Sequence, residues 1–137
     1  MEFLPVDSSN PNHIQFLYDL LAERPEYANI SHRAMPTFAE HLEFVKRNPY
    51  AEWYVVLAPM GEPMGSVYFT YQNEIGIFLS HKWQGRGIGK QVLAKAESMA
   101  PDRRVLANIA PGNDRSIAMF EKAGYRLIQH TYEKVVI

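Results

Sequence analysis

Between Gln84 and Lys90 the chain reads Gln-Gly-Arg-Gly-Ile-Gly-Lys, three glycines in five residues between an apolar stretch and a segment of helical period. Glycines at such spacing let the backbone approach a ligand closely. A helix starting there turns free N–H groups and the positive end of its dipole toward the same point. That arrangement holds anions, phosphate most naturally. Two familiar phosphate loops do not fit. A dinucleotide fingerprint asks for glycine where Lys90 stands, and a P-loop ending at Gly89-Lys90 asks for glycine at Gln84 and a hydroxyl at Gln91. Charge is divided unevenly along the chain. Residues 1–80 hold 4 basic and 10 acidic side chains, residues 81–137 hold 10 and 5, and the net charge is -1. Either solvated helix faces account for the split, or an anionic ligand sits on the C-terminal half and a cationic one on the N-terminal half.

The elements around this loop are legible from period and punctuation. Phe3 to Val6 reads as a first strand. Asn10 caps a helix with Pro11 in its first turn and an apolar stripe of Ile14, Leu17, Tyr18 and Leu21, which stops before Pro25. Thr37 to Glu40 has capping-box spacing and opens a second helix to Asn48, with Phe38, Leu42 and Val45 as its buried face. Strands are predicted over Trp53 to Ala58, Gly65 to Tyr71 and Glu74 to Leu79. A helix from about Gly87 to Ala100, a strand from Val105 to Ile109 and a helix from Asn113 or Asp114 to Gly124 follow. Strands at Tyr125 to Gln129 and Tyr132 to Val136 close the order β-α-α-β-β-β-α-β-α-β-β, a mixed α/β domain spanning residues 1–137.

Composition removes several function classes. The 137 residues contain no cysteine, which excludes disulfides, thiolate zinc sites and a cysteine nucleophile. Hydrophobic residues at 47% and charged residues at 21% exclude a disordered chain. The longest apolar run, Trp53 to Met60, is too short to span a membrane, and the first ten residues show no basic-then-apolar signal pattern. A soluble, cytoplasmic domain that binds neither nucleic acid nor membrane is expected. His13, His32, His41 and His130 show no metal-ligand spacing, so no metal is expected.

Gln84, Gly87 and Gly89 fill the pattern Gln/Arg-x-x-Gly-x-Gly/Ala, and Ile75 to Leu79 resembles the strand that precedes it in the GNAT N-acetyltransferase superfamily. Asn113, Ser116, Phe120, Gly124 and Tyr125 are similar to that family's second motif, and the element order is also the family's. The resemblance implies a mostly antiparallel central sheet flanked by helices, with acetyl-CoA as cosubstrate between splayed fourth and fifth strands. The diphosphate would lie on backbone from Gly85, Arg86, Gly87, Ile88 and Gly89 to Lys90, and pantetheine along Phe78 and Leu79. Asn113 and Ser116 match cofactor-touching positions, and Arg86, Lys90 and Arg115 are candidate phosphate partners.

The implied reaction is acetyl transfer from a thioester to a primary amine. The family's usual acid is a tyrosine where Phe120 stands, and a glutamate base used by some members falls at Asn108; neither residue here can ionise. The catalytic candidates are therefore Glu74, which opens the fourth strand, and Tyr125, with Tyr132 and His81 behind them. The acceptor segment is Glu23 to His32, with Glu23 and Glu26 as carboxylates for an ammonium. It resembles, more weakly, the family branch that acetylates nucleotide-linked amino sugars. A protein N-terminal acetyltransferase and an acyl-CoA-binding regulatory module are the alternatives, and the chain acts as a monomer or homodimer.

Overall fold

The computed structural model describes residues 1–24 and 34–137. Strand β1 (Glu2–Pro5) leads into helix α1 (Pro11–Ala22), whose first turn is closed by the Asn10 side chain accepting from the Asn12 N–H. The buried line of α1 runs through Ile14, Leu17 and Leu20; Tyr18 and Leu21, expected on that line, are only half-buried. Helix α2 (Phe38–Lys46) begins with both halves of the capping box between Thr37 and Glu40. Its buried residues are His41 and Val45. Phe38, expected inside, is exposed and meets Tyr18 edge-on at 5.2 Å, and Leu42 is half-buried. His41 replaces them because its ring can satisfy a buried carbonyl: Nε2 donates to the Ile14 oxygen at 3.1 Å.

Strands β2 (Glu52–Leu57), β3 (Pro63–Phe69) and β4 (Glu74–Leu79) continue the sheet, and β5 (Leu106–Ala107) completes it in the order β1-β2-β3-β4-β5. The first four strands are antiparallel neighbours, with Val67 opposite Ile77 and Phe69 opposite Ile75; β5 alone is parallel to its partner. Helix α3 (Ile88–Met99) crosses between β4 and β5, and α4 (Asp114–Lys122) follows β5. Val92, Leu93 and Ala96 of α3 and Phe120 of α4 pack with Val56, Val67, Phe69 and Ile75 into the main core. The buried side chains of α1 and α2 stand outside that cluster, with α1 lying against β3. The mixed α/β sheet flanked by helices is thus the architecture the sequence implied.

Two expectations change. The strand expected over Val105 to Ile109 shrinks to two residues, because its pairing with β4 ends after Ile75 and Ala107. The closing strands expected at Tyr125 to Gln129 and Tyr132 to Val136 are not formed: after Tyr125 no residue is in a strand, and residues 126–137 are all exposed. Strand propensity alone does not make a ladder.

Candidate active site

The short β5 makes a cleft. Glu74 pairs with Leu106 and Ile75 with Ala107, and beyond those two pairs the strands part. On its other side β4 stays paired to β3 as far as Leu79. Phe78 and Leu79 therefore line a cleft of about 640 Å³, Leu79 with the backbone edge that β3 does not take, and its far wall includes Asn108, Ala110, Asn113 and Ser116. Asn73 anchors the joined end of the two strands. It is buried in a left-handed turn with φ 60, its Nδ2 donates to the carbonyls of Asp102 and Arg104, and its own carbonyl accepts from the Leu106 N–H.

At one end of the cleft lies the glycine loop. A 3-10 turn at His81–Trp83 leads into Gln84, whose Nε2 donates to the Leu79 carbonyl at 2.9 Å and ties the loop to the end of β4. Gly85 and Gly87 both have positive φ, 75 and 74, a conformation that costs other residues strain. Gly87 is the N-cap of α3 and no side chain caps that helix, so its first N–H groups are left for a ligand. Gly89 answers a different need: a Cβ there would sit 3.1 Å from the Met119 sulfur of α4. Gly85, Gly87, Gly89 and Lys90 line the cleft. Arg86 is exposed and rests over the Trp83 ring at 5.3 Å, while Ile88 packs against the core. Asn113 caps α4, its Oδ1 accepting from the Ser116 N–H at 3.3 Å, so the second motif is a helix start turned toward the same space.

The other end is built from side chains. The Glu74 carboxylate accepts from the Thr70 hydroxyl at 3.0 Å through Oε1 and from the Asn108 amide through Oε2. Asn108 lines the cleft, so the carboxylate stands at its rim, one hydrogen bond back. Beside it the ring of Tyr68 covers Gly76, where a Cβ would overlap the ring, and Tyr50 stacks on Tyr68 at 3.9 Å. Burial raises the Tyr68 phenol above its usual value, against the opposing pull of the Arg24 guanidinium. Arg24 lies over the Phe78 ring at 4.2 Å, and its own value is lowered by burial.

The remaining expected residues fall as follows. Glu23 lines the cleft, but its Oε1 accepts from the His81 backbone N–H at 2.8 Å. Glu26 lies outside the described residues. Tyr125 packs edge-on against Phe120 at 5.0 Å and donates its hydroxyl to Glu97 of α3 at 2.9 Å; burial and that carboxylate both raise the phenol. Tyr132 is 88% exposed. Among the described residues the cleft is lined by Arg24, Lys90, Arg115 and Lys122 against the single carboxylate of Glu23.

The model of the acetyltransferase (GNAT) family matches residues 14–125, which contain both halves of this cleft. The chain belongs to that family. A curated relative, the peptidyl-lysine N-acetyltransferase YjaB of Salmonella typhimurium (strain LT2), is 25% identical over 79 residues, 58% of this chain and 53% of its own length. The chain thus matches only about half of that relative. Among solved structures, a chimera of the spermidine N-acetyltransferase SpeG from Vibrio cholerae and hSSAT is similar with TM-score 0.76 and 17% identity, covering 99% of this chain and 86% of that one. An acetyltransferase from Thermus thermophilus gives 0.70 and 18%, covering 93% and 88%. These likenesses concern the fold. No helix among the described residues is long and apolar enough to cross a membrane.

Sequence reasoning missed Arg24, Tyr50, Tyr68, Thr70 and Asn73. Gly76 inside an apolar strand signals a close approach by another group, which here is Tyr68. The others left no local signal.

Proposed function

We propose that this GNAT acetyltransferase, acting through residues 1–137 as one domain, moves the acetyl group of acetyl-CoA to a primary amine on a small anionic molecule, of which a nucleotide-linked amino sugar is the type that fits. The reading is supported by the basic balance of the cleft, lined by Arg24, Lys90, Arg115 and Lys122 against the carboxylate of Glu23, and by the Phe78 ring that lines it beneath the Arg24 guanidinium.

The cleft fits acetyl-CoA on three grounds: the open β4 edge at Phe78 and Leu79, the left-handed glycines at an uncapped helix start, and the basic lining. The bound thioester supplies an activated acyl carbon. Backbone at Phe78 and Leu79 orients it as an added strand would, and an N–H near Leu79 is positioned for the developing oxyanion. Lys90 and Arg115 flank the diphosphate position. Glu74, oriented by Thr70 and Asn108, takes the proton from the ammonium, directly or through a water. Phe120 offers no proton, and the departing thiolate takes one from solvent.

Release of free CoA across a panel of nucleotide-linked amino sugars, amino acids, peptides and polyamines tests this. Anionic amines are expected to turn over best. Arg24→Gln should raise their KM ~10-fold or more, the range of a hydrogen bond to a charged group, and leave the KM for acetyl-CoA unchanged. Preference for a polyamine overturns the acceptor class. Acetyl-CoA affinity without turnover on any amine would favour the binding-module reading, for which Phe120 speaks.

A further inference from the structure

Gly76 lines the cleft, yet the space its side chain would take is already filled. Tyr68 of β3 stands directly opposite Gly76, and a Cβ added at Gly76 would overlap the phenol end of its ring. The ring is braced from behind. Tyr50 stacks on it at 3.9 Å and 12°, and Tyr50 in turn meets Trp53 at 4.9 Å and Phe44 of α2 at 5.8 Å, both edge-on. Tyr68 thus ends an aromatic row that reaches from α2 to β4, and swinging aside would cost it those contacts.

The shape of the cleft limits what could use that space. The glycine loop stands at one end, and the paired residues Glu74–Leu106 and Ile75–Ala107 close the other. With acetyl-CoA along the open β4 edge and its diphosphate on the loop, the acyl group ends near the joined strands. A longer acyl chain cannot continue between them. On the core face of β4 the room is taken by Ile75 and Ile77. Side chains alternate along a strand, so Glu74, Gly76 and Phe78 share the opposite face, and there only the glycine leaves a gap. Tyr68 fills that gap.

We infer that Tyr68 sets the acyl-chain length this enzyme accepts, its ring backing the cleft at Gly76 so that acetyl fits and longer acyl groups do not. Tyr68 stands behind a lining residue and acts by excluding volume, for which the ring is needed and the hydroxyl is not. A Tyr68 that merely packed over a glycine would change stability and leave the choice of acyl group alone. The inference rests on acetyl-CoA as cosubstrate and is independent of the acceptor.

Calorimetric titration of the full chain with CoA, acetyl-CoA, propionyl-CoA and butyryl-CoA, without any amine, tests it. The native protein should bind butyryl-CoA ~10-fold or more weakly than acetyl-CoA, the scale at which a pocket rejects added methylenes. Tyr68→Ala should bring the two within ~3-fold and leave affinity for CoA itself unchanged, whereas Tyr68→Phe should discriminate as the native protein does. Tyr68→Leu opens a smaller space, provides the same readout if the alanine variant does not fold, and should admit propionyl before butyryl. Equal native affinity for acetyl-CoA and butyryl-CoA overturns the inference, as does native discrimination in every folded variant that lacks the ring. Lost discrimination in Tyr68→Phe overturns it too, since the hydroxyl would then be responsible. A native protein that binds neither CoA nor acetyl-CoA removes the cosubstrate reading itself, and this inference with it.

Discussion

At the α3 end of the cleft the groups offered to a ligand are backbone N–H groups, presented by Gly85, Gly87 and the first turn of one helix. At the Glu74 end the lining is side chains, Phe78 from β4, Asn108 after β5 and Arg24 after α1, with Glu74 one hydrogen bond behind Asn108 and itself held by Thr70. A backbone site tolerates many side-chain changes and fails when a torsion is denied it. A side-chain site tolerates small torsional shifts and fails when one functional group is lost. Cofactor binding and proton transfer should accordingly be separable by mutation.

The largest separation is expected from Glu74→Gln. It keeps the partners Thr70 and Asn108 within hydrogen-bond reach but removes the base, so kcat should fall ~10²–10⁴-fold and the rising limb of the pH–rate profile should disappear. Affinity for acetyl-CoA, measured by calorimetry, should not move. Native turnover at every pH would end Glu74's role. Gly87→Val should do the converse. Its backbone sits at φ 74 with nothing within 4 Å of an added Cβ, so the cost is torsional and not steric. Strain of ~1–3 kcal/mol in that conformation predicts acetyl-CoA binding ~10–100-fold weaker, with kcat at saturation largely kept.

Phe120→Leu should separate almost nothing. The residue is a core member with no proton to give, so turnover should stay within a few-fold while unfolding stability falls by the ~1 kcal/mol of a shape change, read as a lower melting temperature. The smallest effect lies away from the cleft. Burial lowers the pKa of His41, so its unfolded form binds a proton first on acidification. The stability this contributes is complete above the unfolded value near ~6.5 and declines as pH falls below it. Thermal melts between pH 7.5 and 5.5 should show that decline, and His41→Gln, which keeps a donor for the Ile14 carbonyl, should flatten it.

The backbone end was legible in the sequence because glycine marks backbone torsions that other residues avoid. The capping box of α2, the bounds of β4 and the Asn113 cap were legible for a related reason, each being settled within a few residues. The acceptor end was not. Glu74 could be singled out by its place on the strand, yet Thr70 and Asn108, which aim it, belong to unrelated parts of the chain. The expected acidic acceptor end rested on counting charges; Glu23 lines the cleft and accepts from a backbone N–H, Arg24 beside it lines it too, and Glu26 lies outside the described residues. Periodicity placed Phe38 inside and left His41 to chance, since hydropathy does not know that a carbonyl on α1 awaits a donor. It also drew two strands after Gly124, where residues 126–137 form no ladder.

Gly87 and Gly89 stand in one motif but answer to different physics, and this governs how the sequence can drift. At position 87 the penalty is internal to the residue, so no second-site change relieves it; only asparagine or aspartate, which visit left-handed backbone more readily, come near. At position 89 the penalty is one sulfur atom at 3.1 Å, the far end of a side chain that can swing aside. Alanine can therefore enter at 89, and anything larger can follow once residue 119 becomes shorter. One glycine is fixed on its own account, whereas the other is free to change in step with a distant helix of the same chain.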